Sequence, residues 1–371
     1  MIVVTELAQT NYSHEREPNS LFGEAAMRIA QVAPLNESVP PKLYGGTERI
    51  VSYLTEEYVR QGHDVTLFAS GDSNTDAKLV PISPRALRLQ RGKGADPLAQ
   101  HVRMVEMVAR AKRDFDMVHF HIDYVHFPVV RRERIAAVTT LHNRLDVADT
   151  HALYRDFPDI HLVSISDAQR RPMRWANWTG TVYHGLPESL YRPRMEAGDY
   201  LAFIGRISPE KRVDRAIEIA TRTEMPLKIA AKLDNADKQY FEDRIRRLLD
   251  TPLVEYVGEI GEREKSDFLG HATALLFPID WPEPFGLVMI EAMACGTPVV
   301  AYRAGSVPEV IDDGTTGYTV RNLEEAVSAV RRIGQLDRRG CRRVFEERFS
   351  AQRMARDYTT IYHSLLNRPP T

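Results

Sequence analysis

Cysteine is almost absent from this 371-residue sequence, which contains only Cys295 and Cys341. Two thiols cannot build a disulfide framework, and the chain has no C-x-x-C pair of the kind that binds zinc or performs thiol redox chemistry. A low cysteine content without such pairs is typical of proteins of a reducing compartment. We therefore predict a cytoplasmic protein without a cysteine-based zinc site.

Long apolar runs and a strong net charge are also missing. No stretch approaches the roughly 18 consecutive apolar residues that a transmembrane helix requires. The 49 basic and 51 acidic side chains give a formal net charge of −2. Because such a balanced chain has no overall attraction to a polyanion, we predict no nucleic-acid partner.

Two phosphate-binding signatures are absent as well. The chain has no G-x-x-x-x-G-K-[ST] motif and no G-x-G-x-x-G motif. The nearest approach to the latter is Gly92-Lys-Gly94, but Pro97 stands where the third glycine belongs. These absences disfavour a P-loop NTPase and a nicotinamide-dependent dehydrogenase.

The first 26 residues carry little structural information. They are mostly polar, show no period and lack the apolar core of a secretory signal peptide. A second methionine, Met27, directly precedes the first apolar run. We predict that residues 1–26 form a disordered extension or follow an upstream start codon.

From Met27 onward, short β-branched runs alternate with amphipathic segments. Residues 27–33 and 64–69 are typical of buried parallel strands, and 47–60 of the helix between them, which together make a βαβ unit. A turn-rich stretch over 180–200 predicts a linker, and the alternation then restarts at Tyr200. Further strands are predicted over 117–120, 136–141, 160–165, 200–204, 227–231, 254–257, 274–277 and 297–301, and further helices over 97–113, 213–223, 240–249, 285–294 and from 324 onward.

This pattern predicts an α/β protein with two Rossmann-like domains in tandem, residues 27–185 and 186–350, followed by a terminal segment over 351–371. Ligands of such sheets bind beyond the carboxyl ends of the strands. Two facing domains would therefore place the functional site in the cleft between them.

The first candidate site follows the strand at 200–204. Gly205 allows a ligand to approach the backbone, and Arg206 and Lys211 place two cations on one short loop before a helix. Arginine can bind two phosphate oxygens at once, and the helix N-terminus adds N–H donors. The motif thus suits a diphosphate, and the alternative is a solvated basic loop.

The second candidate is the segment from Glu283 to Glu291, which contains Pro-Glu-Pro-Phe-Gly-Leu. Two helical turns span about seven residues, so both carboxylates can face one side of a helix. The N–H groups of Phe285, Gly286 and Leu287 are expected at a helix N-terminus, where they lack helical partners. Carboxylates and N–H groups together suit a hydroxyl-rich ligand. The alternative is a helix-dipole role for Glu283 and a surface role for Glu291.

Weaker signals come from the first domain. Gly45-Gly46-Thr47 lies in the first βα turn and suits an anion, although an ordinary tight turn explains it equally well. His142 follows a predicted strand and is expected at the cleft. His119, His121 and His126 raise the alternative of a metal cluster, but no accompanying ligand spacing fits zinc.

Taken in order, Gly45-Gly46, Gly205-Arg206…Lys211 and Glu283…Glu291 resemble the retaining glycosyltransferases of family 4, which have the GT-B fold. The similarity extends over about residues 27–365 and is most specific in the run from Pro282 to Val299. The resemblance implies a cleft between two Rossmann-like domains and transfer of a sugar, with UDP-sugars favoured, to a hydroxyl acceptor. It also implies that no metal or other cofactor is needed, and that the last helix crosses back onto the first domain.

The resemblance also implies a role for each candidate residue. Arg206 and Lys211 would hold the donor diphosphate, Glu291 the ribose hydroxyls, and Glu283 with the N–H groups of 285–287 the transferred sugar. Gly46 would approach the donor phosphates, and His142 would contact the sugar. The loop 303–309 resembles a further donor-side element.

Within that family, residues 29–34, 44–48 and 67–72 resemble a bacterial branch, some members of which are described as tetrahydrobiopterin glucosyltransferases. The acceptor therefore stays open between a small molecule, a lipid and a glycan, and the oligomeric state is open too. Two rival functions remain, a nucleotide-sugar 2-epimerase of the same fold and a binding protein without catalysis. Arginine pairs at 331–332, 338–339 and 342–343 suggest weak peripheral contact with the inner face of a membrane, or else a solvated helix face.

Overall fold

The computed structural model describes residues 26–42, 45–90 and 96–367. The predicted N-terminal extension lies outside these residues except for position 26, as does the segment Gly92-Lys-Gly94. Within the described ranges, no helix is both long and apolar enough to cross a membrane.

The first domain is a parallel sheet of seven strands. These are β1 (Arg28–Val32), β2 (Asp64–Ala69), β3 (Lys78–Pro81), β4 (Met117–Phe120), β5 (Ala137–Thr140), β6 (Leu162–Ser164) and β7 (Trp178–Thr181). Their spatial order is β3-β2-β1-β4-β5-β6-β7. The helices of this half are α1 (Gly46–Arg60), α2 (Pro97–Arg110), α3 (Phe127–Glu133), α4 (Ala148–Asp156) and α5 (Asp167–Arg170).

The second domain repeats the same plan with six strands. These are β8 (Tyr200–Arg206), β9 (Leu227–Lys232), β10 (Val254–Gly258), β11 (Ala272–Phe277), β12 (Val299–Tyr302) and β13 (Gly317–Val320), in the spatial order β10-β9-β8-β11-β12-β13. Its helices are α6 (Val213–Thr223), α7 (Lys238–Tyr240), α8 (Glu262–Gly270), α9 (Leu287–Ala294), α10 (Val307–Val310), α11 (Leu323–Arg332) and α12 (Arg338–Phe349). The predicted α/β class with two Rossmann-like domains is confirmed.

The structure corrects the sequence prediction at several elements. Strands β3 and β13 were not predicted, and β7 lies partly in the stretch predicted to be a linker. The helix predicted over 240–249 is broken, because α7 passes into a π-helical turn at Phe241–Ile245 and then into a 3₁₀ turn at Arg246–Leu249.

The last helix, α13 (Ala351–Leu366), follows α12 of the second domain and packs on α1 of the first. The hydroxyl of Tyr362 is 3.0 Å from that of Tyr58 in α1, and the hydroxyl of Tyr358 is 2.9 Å from Thr140 Oγ1 at the end of β5. One buried apolar cluster runs from β1 and α1 through α13 into α9 and α12. The two domains therefore share a core, which fixes the walls of the cleft.

Strand order also determines where the site lies. In each sheet the order reverses direction next to the first strand of the domain, between β1 and β4 and between β8 and β11. Loops that leave neighbouring strands in opposite directions open a crevice at this point, and α/β proteins bind ligands there. The predicted glycine turn follows β1, the cationic loop follows β8, and the Glu283 loop follows β11.

Candidate active site

The crevices of the two domains face each other and form one cleft of about 990 Å³. Ten residues predicted to take part in catalysis or donor binding line it, whereas the loop over 303–309 does not. From the first domain these are Gly46 and His142, and from the second they are Gly205, Arg206, Lys211, Glu283, Phe285, Gly286, Leu287 and Glu291. Residues 245 positions apart in the sequence are thus brought to a single site.

The cationic loop meets the Glu283 loop at the centre of the second domain's wall. Lys211 Nζ forms an ion pair with the Glu283 carboxylate, and it lies 5.0 Å from the centre of the Trp281 ring. The indole N–H of Trp281 donates to the same carboxylate at 3.0 Å. Arg206 is similarly surrounded by acids, with Glu210 bonded to it and Asp237 at 3.4 Å. Both cations are held by local carboxylates, with which an entering diphosphate would compete.

The Glu283 loop is anchored through its carbonyl groups. Ser306 bonds two of them, its N–H to Glu283 O at 3.0 Å and its hydroxyl to Phe285 O at 2.8 Å. The hydroxyl of Ser166, in the first domain, donates to Pro284 O at 2.6 Å. Because Ser306 and Ser166 bond its carbonyls, the loop is held in place at the start of α9.

Gly286 caps α9 in the left-handed conformation, with φ of 82°. A side chain there would be strained, and its Cβ would lie 2.8 Å from Met289 Cε. A helix N-terminus carries N–H groups without intrahelical acceptors, so the loop offers donors to the cleft. Across the cleft, Gly46 begins α1, and a methyl group at Gly46 would be 3.8 Å from Leu287 Cδ1.

Glu291 is almost fully buried on α9, with 3% of its surface exposed. Its Oε1 accepts a hydrogen bond from Lys265 Nζ at 2.8 Å. Lys265, on α8, was not predicted, although it lines the cleft. No sequence pattern links positions 265 and 291, because α8 and α9 meet only in the folded domain.

Three histidines, His121, His142 and His184, line the first domain's side of the cleft. His142 Nε2 lies 2.8 Å from His121 Nδ1, and the His142 ring stacks on that of His184 with 5.3 Å between centroids. Burial lowers the pKa of His142 to about 3 and also lowers that of His121 well below its usual range. These rings are therefore neutral at physiological pH. Over residues 26–42, 45–90 and 96–367, no group of three or more His, Cys, Asp or Glu side chains could hold a metal ion.

Two cleft residues of the first domain were missed. Asp123 follows β4 in the left-handed conformation, with φ of 55°, and accepts from Asn143 Nδ2 at 3.1 Å. Burial raises the pKa of its carboxyl group. Arg49, on α1, forms an ion pair with Glu262 of the second domain. The position of Asp123 three residues after a predicted strand could have identified it.

The loop over 303–309, which the resemblance assigns to the donor side, ends in a contact with the first domain. Oε2 and Oε1 of Glu309 accept hydrogen bonds from the N–H groups of Asp167 and Ala168 in the first domain, at 2.7 and 2.6 Å. Tyr183 OH lies 3.3 Å from Oε2 of the same carboxylate. Glu309 thus joins the two domains, and its carboxylate is occupied by protein groups.

The arginine-rich segment is also partly structural. Arg338 is buried and donates to the carbonyls of Arg194, Gly270 and Ala272. Arg342 donates to three further carbonyls, those of Glu188, Tyr191 and Ala294. These two guanidinium groups are therefore committed inside the protein, which leaves Arg331, Arg332, Arg339 and Arg343 for the predicted membrane contact.

Two Rossmann-like domains have their reversal points at one cleft, which is the GT-B arrangement, with cations and carboxylates on one wall. Residues 44–186 match the family described as Glycosyltransferase Family 4, and residues 193–343 match the Glycosyl transferases group 1. The chain is a glycosyltransferase whose first domain belongs to family 4 and whose second belongs to group 1. The predicted class of enzyme is confirmed.

Known proteins are similar over almost the whole chain. The N-acetyl-alpha-D-glucosaminyl L-malate synthase of Bacillus anthracis is 24% identical, over 87% of this chain and 94% of its own. Among solved structures, AviGT4, a glycosyltransferase involved in avilamycin A biosynthesis, superposes with a TM-score of 0.71 at 24% identity, covering 92% of this chain and 99% of its own. HepE of Anabaena, in complex with UDP-glucose, gives a TM-score of 0.68 at 17% identity, covering 91% and 100%.

Proposed function

We propose that this enzyme transfers a hexose from a UDP-sugar to a hydroxyl acceptor with retention of the anomeric configuration and without a metal. The observation that carries the proposal is the meeting of Arg206 and Lys211 with the Glu283 loop in one cleft. Two cations beside a helix N-terminus suit a diphosphate, and the carboxylates nearby suit the hydroxyls of a ribose and a hexose.

The donor is oriented by the second domain. Glu291 has one carboxylate oxygen bonded to Lys265, and its other oxygen accepts from the ribose hydroxyls. The N–H groups at Phe285, Gly286 and Leu287 meet hydroxyls of the hexose. The complex of HepE with UDP-glucose supports the choice of a uridine donor, since that protein shares the fold.

Catalysis rests on electrostatic stabilisation of the leaving group. As the bond between the anomeric carbon and the diphosphate oxygen breaks, negative charge accumulates on the diphosphate, where Arg206 and Lys211 stabilise it. The cations thereby supply the charge compensation that a metal ion supplies in other transferases. This arrangement requires the diphosphate to displace Glu283 from Lys211, which frees the carboxylate for the sugar.

Retention follows if the acceptor attacks from the face that the diphosphate leaves. The acceptor hydroxyl gives its proton to the departing phosphate oxygen, its own oxygen bonds to the anomeric carbon, and the products are the glycoside and the nucleoside diphosphate. The acceptor, a small molecule, lipid or glycan, enters beside the first domain's wall, where Asp123 lies.

A donor panel tests the proposal. Purified enzyme is incubated with UDP-, ADP- and GDP-hexoses and with small-molecule, lipid and oligosaccharide acceptors, and released nucleoside diphosphate is measured with and without EDTA. We expect turnover with a UDP-hexose, unaffected by EDTA, and an α-glycoside from an α-linked donor. A strict metal requirement or an inverted product would contradict the proposal. A free 2-epimer of the donor sugar would establish the epimerase instead, and binding without turnover the non-catalytic alternative.

A further inference from the structure

A row of buried side chains leads from the core of the first domain to the cleft. Gln31, in the middle of β1, has Oε1 2.9 Å from His121 Nε2. His121 Nδ1 lies 2.8 Å from His142 Nε2. Gln31 is fully buried and His121 nearly so, whereas His142 is partly exposed where it lines the cleft. The row therefore connects a core residue that touches no ligand to a predicted sugar contact.

The chemistry of these groups determines where each hydrogen lies. A carbonyl oxygen can only accept, so His121 Nε2 must carry the proton that it donates to Gln31. In a neutral imidazole the other nitrogen is then an acceptor, so His121 Nδ1 receives the N–H of His142 Nε2. His142 Nδ1 is left with a lone pair. This atom is itself buried and has no hydrogen-bond partner in the part of the chain that the structure describes.

The surroundings favour neutral rings. His119 lies 4.0 Å from His121 between ring centroids, and His184 stacks on His142. Arg353 lies close enough to disfavour a positive charge on His184. The other groups packed here, the hydroxyls of Tyr358 and Tyr362 from α13, are uncharged near neutral pH, because burial raises the pKa of both phenols.

We propose that Gln31 is a positioning residue that fixes the tautomer of His142, so that Nδ1 accepts a hydrogen bond from a hydroxyl of the transferred sugar. This inference rests on the proposed function and adds to it a determinant of sugar recognition outside the cleft. Because His142 Nδ1 can then only accept, the row favours a sugar with a hydroxyl near this atom over a sugar that carries only an acceptor there.

Binding of UDP and of UDP-glucose, each measured by calorimetry, separates the sugar contact from the nucleotide contacts. In Gln31→Leu the acceptor that orients His121 is lost, and His142 then populates both tautomers. We expect UDP-glucose to bind about fivefold more weakly in this variant, as for one lost hydrogen bond, while UDP binds unchanged. The matched control is Thr55→Val, which removes another fully buried polar group of the first domain that is not part of the row.

Gln31→Glu gives a readout that a merely structural role would not produce. A carboxylate at position 31 raises the pKa of His121, and the protonated ring donates from both nitrogens. His142 Nε2 must then accept, and its proton moves to Nδ1. We expect the ratio of the UDP and UDP-glucose dissociation constants to vary with pH in Gln31→Glu and to stay constant from pH 6 to 8 in the wild type.

The tautomer itself is observed by ¹⁵N NMR of histidine-labelled protein, with His142→Asn used to assign the signal. We expect a protonated Nε2 and an unprotonated Nδ1 in the wild type, and averaged shifts in Gln31→Leu. An unchanged His142 spectrum in Gln31→Leu, or an equal loss of UDP and UDP-glucose affinity, overturns the inference. If the wild type binds neither UDP nor UDP-glucose, it is the proposed uridine donor that fails, and the NMR result then decides the tautomer independently.

Discussion

Glu309 of the second domain accepts a hydrogen bond at 2.6 Å from the backbone N–H of Ala168 in the first. The same carboxylate holds the N–H of Asp167, at the start of the short helix α5. The neighbouring residue, Ser166, caps this helix, and its hydroxyl also donates to the carbonyl of Pro284 in the Glu283 loop. One segment of the first domain thus holds both the second domain and the loop that would grip the sugar.

We therefore expect Glu309→Ala to reduce activity without abolishing folding. The loss of hydrogen bonds at this partly exposed junction should cost about 1 kcal/mol of stability, but the junction also sets the distance between the cleft walls. Catalytic efficiency should consequently fall by more than the stability loss alone explains. The measurements are kcat/KM and the thermal midpoint. Asn322→Ala, which removes a helix cap within the second domain, is the control that should lower the midpoint alone.

Lys211 should contribute mainly to the transition state. In Lys211→Ala the charge that stabilises the leaving diphosphate is gone, and we expect kcat to fall by about 10²–10³, as when one electrostatic stabiliser is removed elsewhere. Lys228→Ala removes a lysine that pairs with Glu255 away from the cleft, and it should keep normal turnover. An equally small effect of both variants on the rate of nucleoside diphosphate release would argue against the proposed role of Lys211 in stabilising the diphosphate.

Glu283→Gln tests the proposed mechanism of retention. If the acceptor attacks on the face that the diphosphate leaves, no covalent intermediate forms, and intact-protein mass spectrometry after incubation with donor should show no hexose adduct. The variant should be slower, because the amide cannot form the ion pair with Lys211 or accept as strongly from the sugar. Because the amide cannot act as the nucleophile, the wild type incubated with donor alone is measured beside the variant. A hexose adduct on Glu283 of the wild type, absent from Glu283→Gln, would instead indicate a double displacement, as in retaining glycosidases.

The position of each strand in its sheet explains which elements could be predicted from the sequence. Central strands such as β1 and β8 are buried on both faces and read as continuous apolar runs. Strands β3, β7 and β13 are all edges of their sheets, and their half-exposed sequences, such as Trp178–Thr181, lack that signal. Contacts between distant elements, such as Lys265 with Glu291, leave no trace in local spacing. The candidate site was predictable because its loops follow central strands.

Gly305 lets the Glu283 loop pack closely against it, because it has no side chain. Its φ is +54°, and a Cβ there would lie 2.2 Å from Glu283 O and 2.4 Å from Glu283 N. Backbone cannot yield as a flexible side chain does, so Gly305→Ala should displace the loop and nearly abolish turnover. Gly314→Ala shares the positive φ but has open space around it, and Gly334→Ala has neither constraint. We expect activity to survive in both controls, which separates the steric effect from backbone strain.

The buried histidines should make the protein sensitive to acid. Burial lowers the pKa values of His119, His121, His126 and His184 well below their usual range, and that of His142 falls to about 3. The unfolded chain binds protons near pH 6.5 and the folded one does not, so stability is full above that pH and decreases as the pH falls towards 3.

His126 provides a clean measurement of this effect, because it stacks on Phe120 and bonds Thr139 away from the cleft. Below pH 6, His126→Asn should reduce the slope of unfolding free energy against pH by up to about 1.4 kcal/mol per pH unit, which is the contribution of one proton. Val130 belongs to the same apolar cluster as Phe120, and Val130→Ala should lower stability at every pH without changing the slope. Equal slopes in the wild type and His126→Asn, obtained from urea titrations, would show that His126 already binds its proton in the folded state.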